Sequence, residues 1–164
     1  MKLITLYLFL IISSSSVLDE VRNEFPKIES NVEADEFLSK LENEESVTLK
    51  AYSAIMLFMK SRYVKFPTAK MKYFNKGKKR LEKLINENPD NIEIRYLRFF
   101  MQKQIPKFLG YNKNIEEDFL YIMNNIYSSN LETKIKTQIL NKMLLVDDLE
   151  SVKSEQIKSK ISEL

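Results

Sequence analysis

The chain contains no cysteine and no histidine, and only two glycines and four prolines. Without cysteine there can be no disulfide, thiolate metal site, iron–sulfur cluster or lipid attachment through an N-terminal cysteine. Without histidine the commonest metal ligand and general base is missing. Any catalysis would fall to Asp, Glu, Lys, Tyr, Ser, Thr or Arg, which leaves carboxylate-pair hydrolysis as the enzymatic route to weigh. So little glycine and proline is at odds with a fold of many tight β-turns, whereas Leu, Lys, Glu and Met are abundant and favour helix. No period-2 alternation runs long enough for a strand. The expected class is all-α, built from packed antiparallel helical hairpins.

What is present bounds the organisation. The 164 residues are 44% hydrophobic and 30% charged, ordinary values for one globular domain with one core. Residues 1–16 read as an address: Lys2, an apolar run from Leu3 to Ile12, then Ser13 to Ser16 ahead of Asp19 and Glu20. The run is too short to span a bilayer as a helix, and small residues follow where a signal peptidase needs them. The expectation is a secretory signal cleaved between Ser13 and Ser16, a helical domain over 17–148 and a helical tail over 149–164. Such a chain is exported, to the periplasm or the exterior. A membrane anchor or a buried first helix is the other reading of the same residues. Removing residues 1–16 takes away Lys2 alone, leaving 25 basic against 23 acidic side chains. A balance so near neutral does not announce a nucleic-acid binder.

Helical spacing follows. Val17 to Phe25 forms a short helix stopped by Pro26. Ala34, Phe37, Leu38 and Leu41 make a stripe after Ser30-Asn31. Ser46 is a plausible N-cap for a helix carrying Ala51, Ala54, Ile55, Phe58 and Met59 on one face. Phe66-Pro67 ends that helix and opens another running to about Glu87, with Phe74, Gly77, Leu81, Leu84 and Ile85 on one side. Asn88 to Asn91 stops and restarts the chain. Ile92 to Gln104 is apolar around more than half its circumference, so it is expected to be central. Pro106 and Gly110 break it. Ile115, Phe119, Ile122 and Ile126 mark the next helix, and Asn130 is expected to cap another that carries Leu131, Ile135, Ile139 and Met143 and ends at Asp147-Asp148. The narrow stripe of the tail, from Leu149 to Leu164, implies fraying or a neighbour that holds it.

Phe74-Asn75-Lys76-Gly77, Leu81 to Ile85 and Asn88-Pro89-Asp90-Asn91 resemble the second helix of a tetratricopeptide repeat, in which a small residue, here Gly77, permits close packing. The resemblance covers about half of one repeat and implies a tetratricopeptide-like or irregular helical bundle. Lys72 to Lys79, Glu93 to Phe99 and Pro106 to Tyr111 also look like a family of exported helical proteins of Bacteroidota. That resemblance, over the middle third of the chain, implies a compartment and a fold and brings no site residues.

Two polar constellations stand out. Lys72, Lys76, Lys79 and Lys83, with Lys78 and Arg80, lie opposite the apolar stripe of their helix and form either a solvated face or a contact for lipid phosphate or acidic polysaccharide. Arg95, Arg98 and Gln102 form the one polar stripe on the otherwise apolar Ile92–Gln104 segment. Glu116, Glu117 and Asp118 on the following helix offer carboxylates, so an Arg–carboxylate staple between the two helices is expected, the alternative being an Arg pair that grips a ligand anion. Phe108, Leu109 and Tyr111 either plug the core or present a surface. With Tyr63, Phe66, Tyr73, Phe74, Phe100 and Phe119 they would make an aromatic cluster.

The hydrolase reading rests on Glu29 in Ile28-Glu29-Ser30 and on Phe100-Met101-Gln102. The Gly-Leu that precedes Met-Gln in lytic transglycosylases is missing. The expectation is therefore a non-enzymatic interaction or scaffold protein of the cell envelope or exterior, with no cofactor, no metal and no nucleic acid. Its partner would be another envelope protein, with membrane-surface contact open. The rivals are an anion- or lipid-binding envelope module and a carboxylate-dependent glycan hydrolase.

Overall fold

A computed structural model describes residues 17–164, and every described element is helical. The expected signal segment, residues 1–16, lies outside the described residues. Helix α1 covers residues 17–24, and its Val21, with Phe25 just beyond it, is buried. The others are α2 (Asn31–Lys40), α3 (Val47–Tyr63), α4 (Pro67–Glu87), α5 (Ile92–Gln104), α6 (Ile115–Asn125), α7 (Thr133–Met143) and α8 (Ser151–Ser162), with a single 3₁₀ turn at Lys107–Leu109. The described chain divides inside α4 into two compact units, one ending at Leu84 and the other starting at Ile85.

In the first unit α2 packs on α3. Ser30 starts α2 by accepting the Glu33 N–H on its hydroxyl, and the core-facing Ala34, Phe37 and Leu41 are buried. Ser46 stands at the N-cap of α3, but its side chain makes no capping bond. Burial on α3 runs unbroken from Ala51 to Met59, far wider than the expected stripe. Pro67 opens α4, where a missing N–H costs nothing. Phe58 of α3 and Phe74 of α4 meet edge to face, centroids 5.6 Å apart. Gly77 lies so close to α3 that a Cβ there would sit 2.9 Å from the Ala54 carbonyl oxygen and 3.1 Å from the Phe58 ring. A glycine inside a helix loses about 1 kcal/mol against alanine, and the close approach is what offsets it.

In the second unit α5 packs on α6 and α7, and α7 on α8. Asn91 caps α5 by accepting the Ile94 N–H, and burial on α5 is continuous from Ile92 to Gln102. Asn130 is not the cap of α7. It lies in the bend after α6, and the helix starts when the Glu132 carbonyl accepts the Ile135 and Lys136 N–H groups. The tail is held. Ile157 is fully buried, Lys153 donates to Glu116 at 2.5 Å, and Tyr127 donates from its hydroxyl to the Lys160 carbonyl at 2.7 Å.

Because backbone blocks the space beside Gly77, Gly77→Val should destabilise the protein by about 1–3 kcal/mol, seen as a lower urea midpoint. Asn75→Ala, exposed on the same helix, should leave the midpoint unchanged.

Candidate functional site

Arg95, Arg98 and Gln102 recur at i, i+3 and i+7 and therefore share one face of α5. Helix α6 begins with Glu116, Glu117 and Asp118 in its first turn, where the positive end of the helix dipole favours carboxylates. The packing of these two helices brings Asp118, with no exposed surface, between both arginines. The Arg98 Nε donates to Asp118 Oδ2 at 2.6 Å and its Nη2 to Oδ1 at 2.8 Å, a two-pronged fork. Arg95 Nη1 donates to Asp118 Oδ1 at 2.9 Å and to Glu117 Oε1 at 3.0 Å, while its Nε donates to the Pro89 carbonyl at 2.5 Å. The Arg95 guanidinium lies 4.1 Å from the centroid of the Tyr121 ring, and the Tyr121 hydroxyl donates to Asp90 at 2.8 Å. The network thus ties the Pro89–Asn91 turn, α5 and α6 together.

Gln102 extends this arrangement by one turn. Its Oε1 accepts the Asn114 backbone N–H at 3.1 Å, and its Nε2 faces Asn114 Oδ1 at 3.4 Å. Asn114 in turn donates from its side chain to Glu117 at 2.9 Å rather than capping α6. The two ends of the 105–113 connection are therefore fastened to each other and to the arginine network. Within the connection Gly110 takes a left-handed conformation, φ 64°, that favours glycine. Tyr111 is buried, whereas Phe108 is 86% exposed. Phe66 is likewise 74% exposed, so neither joins an aromatic cluster.

Of the three carboxylates expected to meet the arginines, Glu117 and Asp118 do so. Glu116 is taken by Lys153 of α8, which also donates to Glu150 at 3.1 Å. The Glu116 bond holds the Lys153 ammonium above its ordinary pKa. Both Asp118 oxygens are engaged by guanidinium groups, and Arg95 and Arg98 are each committed to protein acceptors. Glu29 is exposed and its backbone N–H donates to Glu33, while Gln102 serves the α5–α6 connection. Among the described residues no group of three acidic side chains is placed to hold a metal ion. Lys72, Lys76, Lys79 and Lys83 all lie exposed on α4.

Sequence reasoning missed three polar residues that the structure engages, Glu93 and Lys136 buried and Asn114 half-buried. Glu93 lies buried in the first turn of α5. Burial, with the Glu93 charge nearby, raises the Tyr96 phenol well above its ordinary pKa. Lys136 donates to the Tyr127 carbonyl at 2.8 Å. The third is Asn114, where the Gln102 partner seven residues after Arg95 is the one signal in the sequence. No protein-family model, curated protein or solved structure matches the chain.

Hydrogen bonds from Asn114 and Arg95, helped by the charges of both arginines, hold the Glu117 carboxyl below its usual range. Burial pushes the Asp118 carboxyl up, against the opposing pull of Arg98 and Arg95. Glu117 therefore adds stability that is present above the usual carboxylate range and is lost as pH falls through its lowered pKa. Asp118 holds its proton more readily folded than unfolded, so ionising it costs stability as pH rises through the raised pKa. Carbon-detected NMR titration should place the folded midpoint of Glu117 below, and that of Asp118 above, the values of the same residues in urea. Asp118→Ala takes the shared carboxylate from two buried guanidinium groups, leaving only the exposed Glu117 beside them, and should cost about 3–5 kcal/mol. Glu117→Gln, at the exposed rim, should cost under about 1 kcal/mol, so thermal melts of the two variants should differ clearly.

Proposed function

We propose that this is a non-enzymatic interaction protein, exported from the cytoplasm, that docks another envelope protein through the connection between α5 and α6. Phe108 carries the reading: a phenyl ring 86% exposed on a one-turn helix whose base is fastened by Gln102 and Asn114. An exposed aromatic held on a rigid support loses little conformational freedom on binding, the property that makes aromatic side chains dominate interfaces. Lys107 and Lys113 flank it and are exposed. The matching surface is an apolar pocket for one ring with a rim of carboxylates. The resemblance of Phe74 to Asn91 to half a tetratricopeptide hairpin supports the same role, since such hairpins present docking surfaces. The arginine network belongs to the support, not to the contact.

Affinity capture from an envelope extract should recover one stoichiometric protein with the native chain and lose it with Phe108→Ser at unchanged melting temperature. Gln102→Ala should weaken the capture less than Phe108→Ser does. Equal recovery by native chain and Phe108→Ser would refute the contact.

A further inference from the structure

The near-neutral net charge conceals a strongly uneven distribution. Between Glu45 and Glu82 the sequence holds ten Lys or Arg and no Asp or Glu, so the remaining sixteen basic residues face all twenty-three acidic ones. Lys50 pairs with Glu45 at 2.7 Å and Lys60 with Asp35, acidic residues of the same unit. Lys65, Lys70, Lys72, Lys76, Lys79 and Arg80 stand exposed around the start and outer side of α4. Among them lie two exposed apolar side chains, Phe66 at 74% and Met71 at 45% exposure. The Phe66 carbonyl accepts the Lys70 N–H, which holds the Phe66 backbone at the first turn of α4, and the Lys70 ammonium donates to the Arg62 carbonyl at 2.9 Å.

We propose that this surface, from Lys65 to Arg80, is a peripheral docking site for an anionic lipid bilayer, with the cations over the headgroups and Phe66 and Met71 entering the interface. It is independent of the Phe108 contact. Eight of the ten cations are lysines, compact charges suited to the diffuse field of a lipid surface. Recognition of individual phosphates by geometry favours arginine. A purely solvated cationic face has no use for a phenyl ring and a thioether at its end, whereas an interfacial helix combines both. No helix among the described residues is long and apolar enough to cross a membrane, so contact through these residues is with the surface.

The full chain should sediment with vesicles of phosphatidylglycerol and phosphatidylcholine in equal parts. Binding to phosphatidylcholine alone should be much weaker, and raised salt should abolish the difference. Any binding by the apolar run of residues 1–16 is common to both vesicle types and drops out of the comparison. Lys72→Glu, Lys76→Glu and Lys79→Glu together should lower the partition coefficient by at least about a hundredfold, with the helical circular dichroism unchanged. The chain has no tryptophan, so Phe66→Trp gives one reporter, whose emission should shift to the blue on the anionic vesicles. No preference for anionic vesicles, an undiminished triple variant, or an unshifted tryptophan would overturn the proposal. So would binding to a single-stranded oligonucleotide in place of the vesicles, which would assign the surface to nucleic acid.

Discussion

A carboxylate removed from water is costly unless every lone pair is answered, and Asp118 has both of its oxygens answered by guanidinium groups that are themselves buried. The energetic return of such an arrangement over a well-packed apolar core is small. Its geometry is the return. The fork of Arg98 admits one orientation of the carboxylate, and Arg95 reaches the same group only from the next turn of the same helix face, so α5 and α6 cannot slide past each other by a turn. Helix-on-helix packing by apolar residues alone tolerates such shifts far better.

Fixing that register has effects at both ends of α5. At its start Arg95 draws in the Pro89 carbonyl and packs on Tyr121, which reaches back to Asp90. At its end Gln102 meets Asn114 across a nine-residue connection, residues 105–113. Within that connection a short 3₁₀ turn is closed by the Gly110 N–H on the Lys107 carbonyl. The base of the connection is closed by Gln102 and Asn114, and its Tyr111 is buried. The polar stripe expected to staple the two helices therefore also braces the connection that carries Phe108.

The helices were legible wherever apolar spacing coincided with a capping or breaking residue. Pro67 and Asn91 each mark a start that the structure keeps, and Ile92–Gln104 keeps both of its expected bounds. Asn130 misled because Leu131 continues the four-residue apolar spacing backwards out of the helix, and spacing alone cannot show that the backbone has left the α conformation. The breadth of burial on α3 escaped because a stripe reports only the side that is apolar, while Ser53 is small enough to be enclosed as well. That an arginine network would join α5 to α6 was readable from charge. Asp118 was the carboxylate grouped with Arg95, Arg98 and Gln102; that Glu117 joins it while Glu116 turns to Lys153 was not readable, since the three are successive residues about 100° apart and only packing sets the phase of α6. Likewise Phe108 and Tyr111 are indistinguishable by type, and it is the left-handed turn at Gly110 between them that accompanies one being exposed and the other enclosed.

The contact at Gly77 differs in kind from the rest of the core. Most core positions tolerate exchange because a neighbouring side chain can shrink or rotate to accommodate the newcomer. At Gly77 the nearest obstacle is the Ala54 carbonyl oxygen, part of the main chain, so no substitution at position 54 can make room. Sequence drift over long evolutionary times would therefore leave this residue behind as a fixed point. A distant descendant sharing little else would still carry a glycine three residues after the aromatic that packs against α3, and that pair would be the place to begin aligning it.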